Sequence, residues 1–224
     1  MKRWQATFVV YNGDMLWTLL AIVVVSCVLI FAEYLARTTA IHAELTRKFV
    51  HMSVGAFVAF WPFFLSWGMI EAISVLFLAV VLISIKMNIF RSIHAVSRNK
   101  NGEVMFAMAI GGLALISSSK WIFMAAMLNL AIGDGIAAVV GTLWGDSNSY
   151  KVLKSTKSIA GTSAFFICSL LILIAYKAGS HAHIPLIGFI WMPLLATATE
   201  NVAINGTDNI AVPVIVAISL SSSL

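Results

Sequence analysis

Four groups of polar residues interrupt an otherwise apolar chain, and each contains residue types that handle phosphate or the metal that travels with it. The first is Glu44, Arg47, Lys48 and His51. Spaced i, i+3, i+4 and i+7, they share one stripe of a helix, where the cations can attract phosphate oxygens and the acid and imidazole can orient them. The same stripe also suits an interfacial helix whose basic face lies among lipid headgroups. The second is Asp134, which sits in an apolar run with Asn129 a little before it. A carboxylate within a membrane span is costly and marks a site, as metal ligand or general base, unless a buried cation simply neutralises it. Around it Gly133, Ala137, Gly141 and Gly145 recur every four residues, a smooth stripe for close helix packing.

The third group, Lys154, Lys157, Ser158, Gly161 and Thr162, leads into a helix. Free N–H groups and the positive dipole end at a helix start face an anion, and Gly permits close backbone approach. The glycine pattern of a P-loop is missing, so a capped helix start with snorkelling lysines reads equally well. The fourth group is Glu200 and Asn201, then Asn205, Gly206, Thr207, Asp208 and Asn209. Acidic and amide oxygens opposite phosphate-binding cations are what a Mg²⁺–nucleotide site requires. Asp208 also suits the N-cap of the next helix. Arg98 and Glu103 are further candidates, whereas Glu33 is placed to pair with Arg37 one turn on. His42 and His94 read as interfacial. Cys27 and Cys168 lie in apolar runs with no disulfide or metal spacing.

The elements that position these groups follow from composition. The 224 residues are 61% hydrophobic and only 10% charged, and mean hydropathy is +0.98. Soluble domains carry roughly 25% charged residues, so this composition describes an integral membrane protein. At about 20 residues per span, the chain holds seven or eight helices and no separate soluble domain. An all-α bundle, a single membrane domain over 1–224, must supply both scaffold and site. The apolar runs place helices at about Met15–Ala36, Phe49–Ser66, Met69–Asn88, Glu103–Ser118, Trp121–Trp144, Gly161–Ala178, Ile184–Thr199 and Asn209–Leu220. The run after Lys2 and Arg3 lacks a small-residue cleavage site and reads as a retained helix.

Ten of the fourteen Lys and Arg fall in the segments after the first, third and fifth helices: Arg37, Arg47, Lys48, Lys86, Arg91, Arg98, Lys100, Lys151, Lys154 and Lys157. That face is expected to be cytoplasmic, with the N-terminus outside. It also carries the four polar groups, while His181 and His183 fall on the opposite side. The net charge of +5 reports topology and headgroup attraction. With no basic domain, nucleic acid is not an expected partner.

Taken in order, Glu44-Leu-Thr-Arg47-Lys48-Phe-Val-His51, Gly133-Asp134-Gly135-Ile-Ala-Ala-Val-Val-Gly141, Lys157-Ser158-Ile-Ala-Gly161-Thr162 and Gly206-Thr207-Asp208-Asn209-Ile-Ala-Val-Pro213 resemble the polyprenol kinase family of phytol kinases, dolichol kinases and CTP-dependent diacylglycerol kinases. The resemblance spans nearly the whole chain. It implies a lipid alcohol as acceptor, CTP or another nucleoside triphosphate as donor, and Mg²⁺. The stretch from Asp134 to Thr162 matches the region associated with CTP binding in dolichol kinases. By this resemblance Lys154, Lys157, Ser158, Gly161, Thr162 and Arg98 hold the nucleotide. Arg47 and Lys48 stabilise the transferred phosphoryl group, and Asp134 and Asp208 with Asn209 bind the metal. His51 or Asp134 accepts the hydroxyl proton. Glu44, Glu103, Asn129 and Glu200 complete the candidates, and a homodimer is left open. The compact chain suggests a prenol kinase of prokaryotic or plastid type.

Three other readings compete. A phosphatidate cytidylyltransferase would make a CDP-lipid, but its dense Gly-His-Gly-Gly and paired-Asp signature is absent. A lipid or ion transporter would use Asp134 for coupling, yet polar residues in transporters gather at mid-membrane rather than at one face. A structural scaffold leaves the clustering unexplained.

Overall fold

A computed structural model describes residues 12–38, 43–87, 100–153 and 155–222. Eight helices follow one another among the described residues. They are α1 (Asn12–Thr38), α2 (Ala43–Ala59), α3 (Trp67–Met87), α4 (Lys100–Ile116), α5 (Lys120–Trp144), α6 (Ile159–Ser180), α7 (Gly188–Val202) and α8 (Asp208–Ser221). The helix count agrees with the sequence reading. The apolar lengths do not all agree: α1, α3, α5 and α6 are long and apolar enough to cross a membrane. Helix α2 has 17 residues, α7 has 15 and α8 has 14, short of the roughly 20 that a span perpendicular to the bilayer requires.

Two differences from the sequence expectation bear on the site. Helix α2 begins at Ala43 rather than near Phe49, so Arg47 and Lys48 belong to its first turns and not to a loop. The segment after α5 is also no plain loop. Ser149–Val152 (β1) and Ser155–Ser158 (β2) form an antiparallel hairpin, with Tyr150 paired to Lys157 and Lys151 to Thr156. Leu153, in the turn, takes a left-handed φ of 52°. An otherwise all-α chain therefore carries one small β element. Each strand is only four residues long, too short for apolar-run analysis to detect.

Helix α5 is the centre of the bundle: 67% of its apolar window is buried, against 11% in α1. The small-residue stripe explains its closest contact, with α6. A Cβ added at Gly161 would lie 2.8 Å from the Ala137 carbonyl oxygen and 3.3 Å from the Gly141 Cα. One at Gly133 would meet the Phe165 ring at 3.2 Å. Backbones approach this closely only where side chains are missing, as in small-residue membrane helix pairs. On the other side a Cβ at Gly135 would overlap Met52 of α2.

The α-helical hydrogen-bonding of α5 is interrupted by a π-helical turn at Asn129–Gly133, immediately before Asp134. Such turns re-aim side chains and release carbonyls from the regular ladder, and they concentrate at functional sites. Outside the core, large apolar side chains stand exposed along α1 (Leu16, Leu19, Ile30), α3 (Val75, Leu82, Ile83) and α6 (Ile167, Leu171, Ile174). An apolar exterior around buried Asp134, Glu200 and Asn209 is the arrangement of a protein whose solvent is lipid.

Candidate active site

Lys48 and His51, one turn apart on α2, both face Asp134 on α5. The Lys48 Nζ donates to Asp134 Oδ2 at 2.6 Å, and His51 Nε2 lies 3.7 Å from the same oxygen. All three side chains are nearly buried, with 10–12% exposure. His51 Nε2 also lies 3.2 Å from the Leu130 carbonyl oxygen, which the π turn presents to it. A carbonyl only accepts, so this bond places the proton on Nε2 and leaves Nδ1 as the imidazole's lone-pair nitrogen. The ring stacks at a tilt on Phe106, with centroids 4.9 Å apart.

The second half of the site comes from the hairpin and the α7–α8 corner. Lys157 Nζ donates to the Glu200 carboxylate and, at 3.2 Å, to the Glu200 carbonyl oxygen. Its cross-strand neighbour Tyr150 donates to Asn201 Oδ1 at 3.0 Å and shares a hydrogen bond with Thr162 Oγ1. Thr162 Oγ1 also lies 3.1 Å from Asn201 Oδ1. Ser158 caps α6, its Oγ accepting from the Gly161 N–H at 3.0 Å. Between α7 and α8 the chain reverses through Asn205 and Gly206, both left-handed at φ 53° and 84°. Asn tolerates that region better than most residues, and Gly adopts it without steric cost.

Asp208 is the first residue of α8, after Thr207, so it is not the side-chain N-cap the sequence allowed. It stands instead within electrostatic range of Asp134, Lys48 and Lys157, and Glu200 within range of Asp134, Lys157 and Asp208. The fold thus gathers two cations and three carboxylates from α2, α5, the hairpin, α7 and α8 around one locus. The sequence had distributed these residues over separate groups.

Other candidates are placed differently. Arg47, one residue before Lys48 and so rotated about 100° around α2, lines an apolar slot together with Glu103, His51 and Asn209. Arg47 and Glu103 lie within electrostatic range of each other. Asn209 is 6% exposed, and its Nδ2 donates to the Gly102 carbonyl oxygen at 2.7 Å, clasping α8 to α4. That bond commits the amide nitrogen, and only Oδ1 could serve a metal. Asn129 does not join the site: its Nδ2 donates to the Ala125 carbonyl at 2.9 Å, and it lines a separate small cavity with Ser169 and Ser219. Glu33 binds Arg37 at 2.7 Å, as its spacing suggested. Arg98 and Lys154 lie outside the described residues, as does the side chain of Glu44.

Tyr150 and the Leu130 carbonyl were not singled out by sequence reasoning, whereas Asn201 was, in the fourth polar group. For the carbonyl there was no signal, because a π turn has no residue signature of its own.

No family model and no solved structure matches the chain significantly. Among curated proteins it is similar to a phytol kinase of Synechocystis sp., at 30% identity over 202 residues, which cover 87% of this chain and 85% of that protein. With identity at this level over most of both chains, the chain belongs to the phytol/polyprenol kinase family.

Proposed function

We propose that the protein transfers the γ-phosphoryl group of a nucleoside triphosphate, CTP in the first instance, to the hydroxyl of an isoprenoid alcohol. The observation that carries this reading is the Lys48–Asp134–His51 constellation standing beside Lys157, Glu200 and Asp208. Phosphoryl transfer needs positioning and charge neutralisation more than covalent chemistry, and this locus offers cations, carboxylates and one imidazole. Family membership supports the same reaction class, since the Synechocystis relative is a kinase of phytol.

In this account Lys157 and the capped start of α6, at Ser158, Gly161 and Thr162, hold the β- and γ-phosphates. Lys157 is shared between Glu200 and the nucleotide. Lys48 neutralises charge on the γ-phosphoryl oxygens as the alcohol oxygen attacks phosphorus and the bridging P–O bond breaks, releasing the nucleoside diphosphate. His51 accepts the hydroxyl proton at Nδ1 while Asp134 and the Leu130 carbonyl fix its ring.

The donor chemistry suits Mg²⁺: Asp134 and Asp208 are hard oxygen ligands within range of one another, and Asn209, next to Asp208 in sequence, has a side-chain carbonyl oxygen. Among the described residues no three acidic, His or Cys groups form a complete cage. A cation that keeps waters and draws on substrate phosphates does not require one. Bound there, Mg²⁺ would neutralise the phosphates. The bundle would cross the membrane seven or eight times with the N-terminus outside, Lys48 and Lys157 on the cytoplasmic face, and the alcohol arriving laterally from the inner leaflet.

The test uses purified protein, Mg²⁺ and γ-³²P-CTP with phytol, geranylgeraniol, a dolichol and diacylglycerol in parallel, and γ-³²P-ATP as donor control. Label in one alcohol with CTP supports the reading. Label appearing only from α-³²P-CTP, in a CDP-lipid when phosphatidate is added as acceptor, replaces it with the cytidylyltransferase. Within the same assay Lys157→Ala is expected to raise the apparent KM for the nucleotide by about tenfold or more, with the alcohol KM little changed. An unchanged nucleotide KM removes Lys157 from the phosphate site.

A further inference from the structure

His51 has a second face. Beyond the Asp134 locus it lines a narrow slot of about 60 Å³ whose other walls are Leu29 of α1, Val50 and Val54 of α2, Phe77 and Val81 of α3 and Phe106 of α4. Arg47, Glu103 and Asn209 stand with His51 at its polar end. A largely apolar lining with a few convergent polar groups is the usual make-up of a small-molecule site, and a slot this small takes a short segment of a ligand rather than the whole of one. Helix α1 packs on α2 and α3 packs on α4, so the slot lies where two helix pairs meet. Both α1 and α3 carry exposed apolar side chains as well.

We propose that this slot holds the hydroxyl-proximal segment of a single-chain lipid alcohol, with Phe77, Val81 and Phe106 as the residues that select it; the assignment rests on the kinase reading above. Three observations converge. Because His51 belongs to both the slot and the Asp134 locus, a hydroxyl at the slot's polar end meets the reacting groups while its chain runs along apolar walls. From Arg47 to Val54, a separation of seven positions on α2, the lining runs about 10 Å along the helix axis, enough for the first part of a prenyl chain and too little for the whole of a long one. The width is set by single side chains: Phe77 meets Phe106 edge-on with centroids 6.3 Å apart, and Phe106 in turn packs on the His51 ring. A two-tailed glycerolipid presents a branched backbone where this slot admits one chain.

The experiment uses the full-length protein in detergent and geranylgeraniol carrying a diazirine on its first isoprene unit. Irradiation should label peptides of α2, α3 and α4. Val81→Phe, which narrows the slot, should cut labelling about tenfold and raise the alcohol KM by a similar factor while the nucleotide KM stays within about twofold. Phe77→Ala, which widens it and removes the edge contact to Phe106, should raise the relative kcat/KM for diacylglycerol over geranylgeraniol about tenfold in protein that keeps its elution profile in detergent. Labelling confined to α6, α7 and α8, or unchanged selectivity in both variants, overturns the proposal. The two readings separate cleanly: slot labelling without phosphate transfer leaves the slot standing and removes the kinase, whereas phosphate transfer with the label elsewhere does the reverse.

Discussion

Asp134→Asn is expected to lower turnover by about a hundredfold to ten-thousandfold, the range over which positioned acid–base and orienting groups act. The substitution is nearly isosteric and removes only charge. The carboxylate accepts from Lys48 at 2.6 Å and lies 3.7 Å from the His51 ring, so its loss frees Lys48 from its anchor and His51 from its orienter together. An amide is also a poorer ligand for a hard cation than a carboxylate. The close packing of Gly133 on Phe165 and of Gly135 on Met52 does not involve the carboxylate, so the variant should keep its elution profile in detergent. Initial rates of phosphoryl transfer check this. Activity within about threefold of wild type would move the chemistry away from Asp134.

The second large effect is on stability. Lys48→Met should destabilise the protein by about 3–5 kcal/mol, because it leaves the Asp134 carboxylate buried without its partner. For a chain of this size that is a fall in Tm on the order of 10 °C. Lys48→Met combined with Asp134→Asn removes both charges, and its Tm should return to within a few degrees of wild type while the protein stays inactive. The contrast distinguishes a retained catalytic pair from a structural one, since replacing a buried pair by neutral residues is often neutral for stability. Thermal denaturation in detergent reads both. A single variant as stable as wild type would mean that Lys48 and Asp134 are not coupled in the folded protein.

The sequence analysis located most of these residues but not their relations. Asp134 stood out because a carboxylate in an apolar run is costly, and Lys48 and His51 because i, i+3 spacing on a helix points them the same way. The helix positions were legible for the same reason, and the small-residue stripe correctly marked the α5–α6 contact. Pairing across 86 residues between Lys48 and Asp134 is a property of tertiary packing that no local pattern carries. Arg47 illustrates the limit: one residue from Lys48, it is rotated about 100° around α2 and joins Glu103 at the slot. The hairpin escaped because only four residues make each strand, and with it went the contacts that bring Tyr150 to Asn201 and Lys157 to Glu200. The π turn escaped entirely, since nothing in Asn129–Gly133 distinguishes it from a regular turn of α5.

Product stoichiometry tests the central claim most directly. Purified protein with Mg²⁺, CTP and phytol, followed by ³¹P NMR, should yield one phosphate monoester of the alcohol and one nucleoside diphosphate for every CTP consumed, with no pyrophosphate. Pyrophosphate accompanied by a phosphodiester-linked lipid, or inorganic phosphate alone, would contradict phosphoryl transfer from the γ position to the alcohol at this site.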